Sequence, residues 1–298
     1  MHVAEFAAAE VVAAVRAYAA NAPLHIPHQL ALVDEYRKRF PAAQAVLCFD
    51  SAFHASMPDV ARYAAFPEPA RTRYTRFGFH GLSYEYIASC IDWERYPRAI
   101  VAHLGSGASL CAMVRGRSVD TTMGFSPLGG IVMATRAGDI DPGALLGMIR
   151  EHRGDVDAVE TFLASQCGLA ALSGGASDMR DLLRKPAQTA ASAAVDAFVR
   201  SVAKAAASFV PALGGFDLLV FTGGIGEGSA EIRARVATSL APFGLHLDEL
   251  ANVRSAEWIH ASTSRVAVAR LATDEAKQMA VHAAALCARA EEGGPPKG

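Results

Sequence analysis

Four ionisable side chains of this 298-residue sequence lie at a predicted strand end, beside glycines or at a predicted helix start. They are Asp50, His80, Arg136 and Glu275. A migrating phosphoryl group spreads negative charge over three equatorial oxygens, which a guanidinium and an imidazole N–H can stabilise. Two carboxylates suit a Mg²⁺ ion, held directly or through water. The residue types therefore fit phosphoryl transfer.

Each of these side chains also has an ordinary structural explanation. Asp50 fits a turn or a helix cap, and His80 fits a core histidine with satisfied ring nitrogens. Arg136 could pair with Asp139 or Asp141 at the surface. The glutamate occupies an early helical position, where capping chemistry is common. Taken one at a time, the residues leave both explanations open.

Two glycine-rich turns follow predicted strands. The apolar run 217–221 continues into Thr222-Gly223-Gly224-Ile225-Gly226-Glu227-Gly228, and a helical pattern follows from Ser229. Glycines let backbone N–H groups approach an anion, although tight strand-to-helix turns also need glycine for steric reasons. A second turn, Gly105-Ser106-Gly107, follows the strand that begins at Ile100. Two such turns facing each other could bracket one polyphosphate.

The remaining elements predict an α/β architecture. Short apolar runs predict strands at 43–49, 100–103, 108–114 and 118–123. Helical spacing is found at 1–20, 144–153, 156–165 and 187–213. From Arg265 onward the sequence predicts a strand, a turn and a closing helix.

Composition excludes several classes of protein. The net charge of −2 shows no basic excess, so neither a nucleic acid nor an anionic membrane is an expected partner. Five dispersed cysteines without CxxC spacing indicate reduced thiols in a cytoplasmic protein; they are Cys48, Cys90, Cys111, Cys167 and Cys287. No apolar run is long and uncharged enough to span a bilayer. The polar tail 291–298 is predicted to be disordered.

Six ordered segments resemble the motifs of the acetate kinase family. They are FDSAFHASMP (49–58), RYTRFGFHGLSYEYIA (73–88), HLGSGASL (103–110), DTTMGFSPLGGIVMATRAGDIDPG (120–143), LSGGASDMRDL (172–182) and FTGGIGEGSAEIR (221–233). The family belongs to the superfamily of sugar kinases, heat-shock ATPases and actin. The resemblance implies a two-lobed, actin-like (ribonuclease H-like) α/β fold, often as a homodimer that closes its lobes over substrate. It implies the reaction of ATP and acetate to ADP and acetyl phosphate, with Mg²⁺.

The resemblance also implies roles for particular residues. Asp50 matches the active-site aspartate, and His80 and Arg136 match the pair that stabilises the transferring phosphoryl group. Two loops would contact the ATP phosphates: His103, Leu104, Gly105, Ser106 and Gly107, and Gly223, Gly224, Ile225, Gly226 and Glu227. The other matches are Asp178, Met179 and Arg180 beside adenosine, Glu275 with Mg²⁺, and Leu24, Phe79 and Pro127 around the acetate methyl group.

Acetate is ionised at neutral pH and needs no general base. We therefore expect Asp50 to orient groups or to lie in the outer shell of the metal ion rather than to abstract a proton. This differs from kinases that act on hydroxyl groups, where an aspartate accepts a proton.

The sequence departs from the family pattern most strongly in the first lobe. Neither the Asn-x-Gly-Ser-Ser-Ser phosphate turn nor the carboxylate-binding arginine of the family is among its residues. Ser106, Gly129 and Gly228 replace polar side chains of the family motifs. The resemblance thus implies an incomplete lobe I (1–50 with closing helix 276–290), a nucleotide-binding lobe II (51–275) and the tail.

Three functional hypotheses follow from this pattern. The first is an acetate kinase, truncated at its N-terminus or short. The second is a catalytically impaired, nucleotide-binding remnant. The third is a propionate or butyrate kinase, because the pocket residues do not distinguish acetate from propionate.

Overall fold

The computed structural model describes residues 4–17 and 26–291. Its seven strands are β1 Ala4–Phe6, β2 Val46–Cys48, β3 Arg98–Leu104, β4 Ala108–Val114, β5 Arg117–Thr121, β6 Leu218–Thr222 and β7 Ala267–Arg270. Its helices are α1 Ala9–Ala17, α2 Ile26–Arg39, α3 Asp59–Arg62, α4 Ala70–Arg73, α5 Gly81–Ser89, α6 Pro142–Glu151, α7 Val156–Ser165, α8 Gly168–Ser173, α9 Met179–Leu183, α10 Ala190–Ser208, α11 Val210–Leu213, α12 Gly223–Gly228, α13 Ala230–Ser239, α14 Glu249–Val253 and α15 Glu275–Glu291.

The larger sheet has five strands in the order β5-β4-β3-β6-β7. The pairs β5–β4 and β4–β3 are antiparallel, whereas β3–β6 and β6–β7 are parallel. In the β3–β6 register, His103 lies opposite Thr222. The glycine turns that follow these two strands therefore start side by side at one edge of the sheet. Ligands of α/β proteins commonly bind outside such carboxyl ends.

Both faces of this sheet are covered by helices, because side chains alternate between the faces along each strand. Ile100 on β3 lies in the hydrophobic cluster that includes Phe198 of α10. Val101, the next residue, lies in the opposite cluster with Tyr84 and Ile87 of α5. Strand β6 is buried along its whole length, as expected for a central strand between parallel neighbours. The sheet thus gives α5 a fixed position against β3.

A smaller, antiparallel sheet pairs β1 with β2. Ala7, Val12 and Leu30 form a hydrophobic cluster between this sheet and the helices α1 and α2. The closing helix α15 contacts both small strands and also α5. It therefore connects the small sheet to the helix that begins directly after His80.

Several predicted elements are confirmed, and others are wrong in their boundaries. The predicted hairpin is formed by β4 and β5, and the predicted helix 156–165 is α7. The predicted helix 187–213 is instead two helices, α10 and α11, because Pro211 has no N–H with which to continue α10.

Three further predictions need correction. Residues 4–6, which were expected to be helical, form a strand because pairing with β2 outweighs the helical propensity of an alanine-rich segment. The predicted strand 43–49 is only Val46–Cys48. The helix predicted from Ser229 is confirmed as α13, which Ser229 caps, whereas the predicted glycine turn before it forms the short helix α12. The predicted tail, apart from residue 291, lies outside the described residues.

No helix within the described residues combines the length and hydrophobicity that a bilayer span requires.

Candidate active site

The carboxylate of Asp50 holds the N-terminus of α5. Its Oδ2 accepts a hydrogen bond from the backbone N–H of His80 at 2.6 Å, and its Oδ1 accepts one from Leu82 at 3.2 Å. Gly81 permits this approach, because a Cβ there would overlap the carbonyl oxygen of Asp50. His80 precedes α5 in the left-handed region, with φ of 59°. Asp50 therefore positions the backbone that carries the imidazole of His80.

The imidazoles of His80 and His103 are stacked. Their ring centroids are 4.4 Å apart and their planes differ by 18°. Burial, followed by the charges of Arg136 and His54, lowers the pKa of His80 to about 4. Burial and then His80 lower the pKa of His103 to about 3, against the opposing effect of Asp50. Both rings are neutral near pH 7 and can donate one N–H each.

A serine hydroxyl binds the Nδ1 atom of each ring. Ser109 Oγ lies 2.9 Å from Nδ1 of His80, and Ser83 Oγ lies 2.8 Å from Nδ1 of His103. The Nε2 atoms are turned toward the glycine turn after β3. Nε2 of His80 lies 3.2 Å from the position of a Cβ at Gly107, and Nε2 of His103 lies 3.9 Å from that of Gly105.

The guanidinium of Arg136 approaches the same turn. Its Nη1 lies 3.8 Å from the Cβ position of Gly107 and donates to the carbonyl oxygen of Pro127 at 3.1 Å. Burial lowers the pKa of Arg136, and no carboxylate pairs with it in the described part of the chain. His80 and Arg136 thus converge on the space above Gly107, where an anion would meet both donors.

The alternative in which Arg136 pairs with Asp139 or Asp141 is wrong. Asp139 accepts a hydrogen bond from the backbone N–H of Gly130 at 2.6 Å. Asp141 is the N-cap of α6 and accepts from the first turn of that helix. Both carboxylates serve local backbone groups, which leaves the guanidinium available for a ligand.

A groove of about 710 Å³ adjoins this space. It brings together residues of both predicted phosphate loops and of the predicted adenosine segment: Gly105, Ser106, Asp178, Met179, Arg180, Gly224 and Ile225. Asp178 caps α9 and forms a salt bridge of 2.6 Å with Arg180. Sequence positions more than one hundred residues apart therefore line one cavity.

The carboxylate of Glu227 connects two segments at the edge of the groove. Its Oε1 accepts from the backbone N–H groups of Gly223 at 3.0 Å and Thr273 at 3.3 Å. Gly223 has φ of 77°, and its Cβ position lies only 2.8 Å from the carbonyl oxygen of Leu104. Only glycine fits there, so the two predicted phosphate loops are in contact through their backbones.

Glu275 is the first residue of α15 and is half-buried. Burial raises the pKa of this carboxyl group, and the nearby charge of Asp50 raises it further. Neither a hydrogen bond nor an ion pair of its side chain is found among the described residues. The described residues contain no group of three or more acidic, histidine or cysteine side chains that could hold a metal ion by themselves. An unpartnered carboxylate is a suitable ligand for a hard cation, so Glu275 fits a Mg²⁺ ion that is held mainly by phosphates and water.

Two of the three predicted walls of the substrate pocket can be placed. Phe79 is partly buried and packs against the main hydrophobic cluster, and its carbonyl oxygen accepts from Nε2 of His54 at 3.0 Å. Pro127 is partly buried, and its carbonyl oxygen accepts the hydrogen bond from Nη1 of Arg136. The predicted third wall, Leu24, lies outside the described residues.

Comparison with known proteins identifies the family. The model of the acetokinase family matches residues 2–281. The chain belongs to the acetokinase family. An acetate kinase of Rhodopseudomonas palustris (strain TIE-1) is 43% identical over 286 residues, which cover 92% of this chain and 70% of that protein. One of Nitrobacter hamburgensis is 44% identical, over 93% of this chain and 69% of that protein.

Solved structures show the same relationship. A propionate kinase from Francisella tularensis has a TM-score of 0.88 and 34% identity, over 94% of this chain and 74% of that one. Porphyromonas gingivalis acetate kinase has a TM-score of 0.85 and 30% identity, over 95% and 74%. The predicted actin-like ATPase fold of this acetokinase family member is confirmed. By family membership it is an enzyme of the carboxylate kinase class.

Sequence reasoning missed the groups that support the two stacked imidazoles of this acetokinase family member. Ser83 and Tyr84 follow His80 by three and four residues, the spacing of one helical turn. The spacing of Ser83 and Tyr84 from His80 was visible in the sequence. Ser109 is buried on β4, and its contact with Tyr84 of α5 is tertiary, so no spacing in the sequence indicated it.

Proposed function

We propose that this chain transfers the γ-phosphoryl group of ATP to acetate, forming ADP and acetyl phosphate, and catalyses the reverse reaction. The observation that carries the proposal is the convergence of His80 Nε2 and Arg136 Nη1 above Gly107, beside the 710 Å³ groove. An imidazole and a guanidinium aimed at one small space match the charge distribution of a phosphoryl group in transit.

The proposed chemistry requires no general base. A carboxylate oxygen of acetate attacks the γ-phosphorus, the bond from phosphorus to the bridging oxygen breaks, and ADP leaves with that electron pair. His80 and Arg136 donate hydrogen bonds to the equatorial oxygens, whose charge they stabilise. Asp50 orients His80 through the backbone of α5 and exchanges no proton with the substrate.

Mg²⁺ is proposed to accompany the nucleotide, with Glu275 as a ligand and Asp50 beside it. When bound, the ion supplies positive charge that neutralises the phosphate oxygens. Because α15 begins at Glu275, the closing helix brings its first side chain to the site. We propose that this helix, with residues 4–50, forms one lobe and that residues 51–275 form the nucleotide-binding lobe.

The groove is proposed to hold the nucleotide. Met179 and Ile225 offer apolar surface for the base, and the turns at Gly105 and Gly224 offer backbone near the phosphates. Asp178 and Arg180 are proposed to flank the adenosine. This arrangement would lay the triphosphate along the edge of the sheet toward Gly107.

Acetate is the proposed substrate, with its methyl group against Phe79 and Pro127. Propionate is a second candidate, because the solved structure with a TM-score of 0.88 is a propionate kinase. One additional methylene in an apolar pocket changes discrimination by about 10- to 200-fold. The ratio of kcat/KM for the two acids therefore decides between them. Dimerisation stays a prediction.

The test is formation of acyl phosphate by the purified chain with ATP, Mg²⁺ and acetate or propionate, trapped with hydroxylamine. We expect product with the wild type and a loss of at least about 100-fold with Arg136→Ala, because a charged donor to the transition state is removed. Arg150→Ala, which removes an exposed arginine from α6, is the matched control. Product no greater than that of Arg136→Ala would contradict the proposal, and retained ATP binding would then favour a nucleotide-binding protein without turnover.

A further inference from the structure

Nδ1 of His80 lies at the end of a buried chain of hydroxyl groups. Ser109 Oγ is 2.9 Å from Nδ1 of His80, and Tyr84 Oη is 2.5 Å from Ser109 Oγ. Tyr84 and Ser109 are both fully buried, with 0% of their surface exposed. Water is therefore not available to either hydroxyl, and each hydrogen needs an acceptor within the protein.

The direction of the hydrogen bonds in this chain follows from counting donors and acceptors. A serine hydroxyl has one hydrogen, and so does a tyrosine hydroxyl. If Tyr84 donates to Ser109, and Ser109 donates to His80 Nδ1, both hydrogens are used.

The opposite direction leaves a buried hydrogen without an acceptor. If Nδ1 of His80 carried the proton, it would donate to Ser109, and Ser109 would donate to Tyr84. The hydroxyl hydrogen of Tyr84 would then have no acceptor among the described residues, at a cost of about 1–3 kcal/mol in general experience. Protonation of both ring nitrogens has the same defect, in agreement with the lowered pKa of His80.

We propose that the Tyr84–Ser109 relay fixes neutral His80 as the tautomer protonated at Nε2. Tyr84 and Ser109 are positioning residues, because they act on the ligand only through the imidazole. The inference rests on the proposed function for its consequence: the Nε2–H group is the one that faces the space above Gly107. In the other tautomer, a lone pair would face the phosphoryl oxygens and repel them.

The neighbouring ring has a similar arrangement. Thr273 Oγ1 is 2.8 Å from Ser83 Oγ, and Ser83 Oγ is 2.8 Å from Nδ1 of His103. Each of the two stacked imidazoles therefore has two hydroxyl groups that are hydrogen-bonded in series to its Nδ1 atom. Ser83 is fully buried, but Thr273 is only partly buried, so the hydrogen of Thr273 can reach water and the same accounting does not fix the tautomer of His103.

The tautomer can be measured without turnover. We would label the histidines with ¹⁵N and record long-range ¹H–¹⁵N correlations of the ligand-free protein at neutral pH, with His80 assigned from its loss in His80→Asn. We expect a protonated Nε2 and an unprotonated Nδ1 in the wild type, and a mixture of tautomers in Ser109→Ala. Ser118→Ala is the matched control, because Ser118 is a buried serine that binds Nδ1 of His54 at 2.8 Å. The His80 signals of the Ser118→Ala protein should be the same as those of the wild type.

Kinetics supply the second readout. We expect Ser109→Ala and Tyr84→Phe to lower kcat about tenfold, as for loss of one neutral hydrogen-bond donor, with the KM for ATP changed less than about twofold. Ser118→Ala should keep kcat within about twofold. If Ser109→Ala fails to fold, Ser109→Cys carries both measurements, since a thiol is a weak hydrogen-bond donor and acceptor.

The outcomes separate this inference from the proposed function. A wild type with the proton on Nδ1 of His80, or a Ser109→Ala protein with an unchanged tautomer, would overturn the relay even if acyl phosphate forms normally. A wild type with the expected tautomer that forms no acyl phosphate would contradict the proposed function and leave the relay standing.

Discussion

The backbone N–H of His80 donates to the carboxylate of Asp50 at 2.6 Å, so the aspartate that we propose for the active site also caps a helix. The sequence leaves two explanations of Asp50 open, a helix cap and a residue of the active site, and the two are compatible. The carboxylate satisfies the first turn of α5 and thereby fixes the position from which the imidazole of His80 extends.

Asp50→Ala is expected to lower both stability and turnover, because α5 loses its cap and His80 loses its anchor. The free energy of unfolding should fall by about 1–2 kcal/mol, and kcat by a larger factor than stability alone explains. Urea unfolding and the hydroxylamine assay measure the two effects. Asp141→Ala removes the cap of α6 and serves as the control, with a similar loss of stability and unchanged kcat. Equal kcat in both variants would contradict the positioning role.

Acid is expected to destabilise the ligand-free protein. Burial lowers the pKa of His54 to about 4 from an ordinary value of 6.5, and His54 is 1% exposed. The unfolded chain therefore binds more protons than the folded one between these values, and the stabilisation present above pH 6.5 is lost as the pH falls toward 4. For His54 alone the loss is about 3 kcal/mol. His80 and His103 shift in the same direction.

Urea unfolding at several pH values measures this effect. In His54→Gln the slope of stability against pH should be smaller between pH 4 and 6.5, because one proton-binding group is removed from the unfolded chain. His152→Gln, at an exposed position, is the control and should keep the wild-type slope. A wild-type stability that does not change across this interval would argue against neutral, buried imidazoles.

Arg233 is expected to be essential for the position of the second phosphate loop. It is fully buried, and its guanidinium donates to the carbonyl oxygens of Gly226, Glu227 and Asn252 rather than to a carboxylate. Arg233→Lys keeps the charge but loses the planar fork. We expect a loss of about 2–4 kcal/mol in unfolding free energy and weaker ATP binding, measured by denaturation and calorimetry.

The control for this substitution is Arg235→Lys, two residues further along α13. Arg235 is one-third exposed and pairs with Asp196 and Glu231 at the surface. Exposed pairs contribute about 0–1 kcal/mol, so this variant should be close to wild type. Normal ATP affinity in a folded Arg233→Lys protein would show that the loop does not depend on the guanidinium.

Glu275→Gln is expected to shift the Mg²⁺ dependence of turnover. The carboxylate is half-buried, has no partner in the described residues, and lies close to Asp50. Removing one charged ligand should raise the Mg²⁺ concentration required for half-maximal activity about tenfold or more, while saturating Mg²⁺ restores part of kcat. Glu249→Gln, at an exposed position in the first turn of α14, is the control. An unchanged Mg²⁺ curve would exclude Glu275 as a ligand.

The strands of the main sheet could be predicted because buried apolar runs, separated by glycine turns, carry a local signal. The side-by-side start of the two glycine turns could not be predicted, because the parallel pairing of β3 with β6 joins distant parts of the chain. Arg98 and Asp217, which are in contact, are 119 residues apart in the sequence. For the same reason the roles of Ser109 and Thr273 were not visible. Each depends on a tertiary contact with α5, which no spacing in the sequence reveals.

The last prediction concerns the space above Gly107, where His80 and Arg136 converge. Gly107→Ala would place a methyl group 3.2 Å from Nε2 of His80 and 3.8 Å from Nη1 of Arg136. Gly107 is not among the glycines with positive φ, so alanine is compatible with its backbone. We expect the free energy of unfolding to change by less than about 1 kcal/mol. Turnover should fall by at least about 100-fold, because the methyl group occupies the volume in which the phosphoryl group must meet both donors.

ADP binding, measured by calorimetry, should be retained in Gly107→Ala because the groove at Gly224 and Met179 is unaffected. Gly147→Ala is the matched control: it lies within α6, and no atom lies within 4 Å of its Cβ position. That variant should be as stable as the wild type or slightly more stable, with unchanged turnover. Normal turnover in Gly107→Ala would place the transferring phosphoryl group elsewhere and remove the main support for the proposed roles of His80 and Arg136.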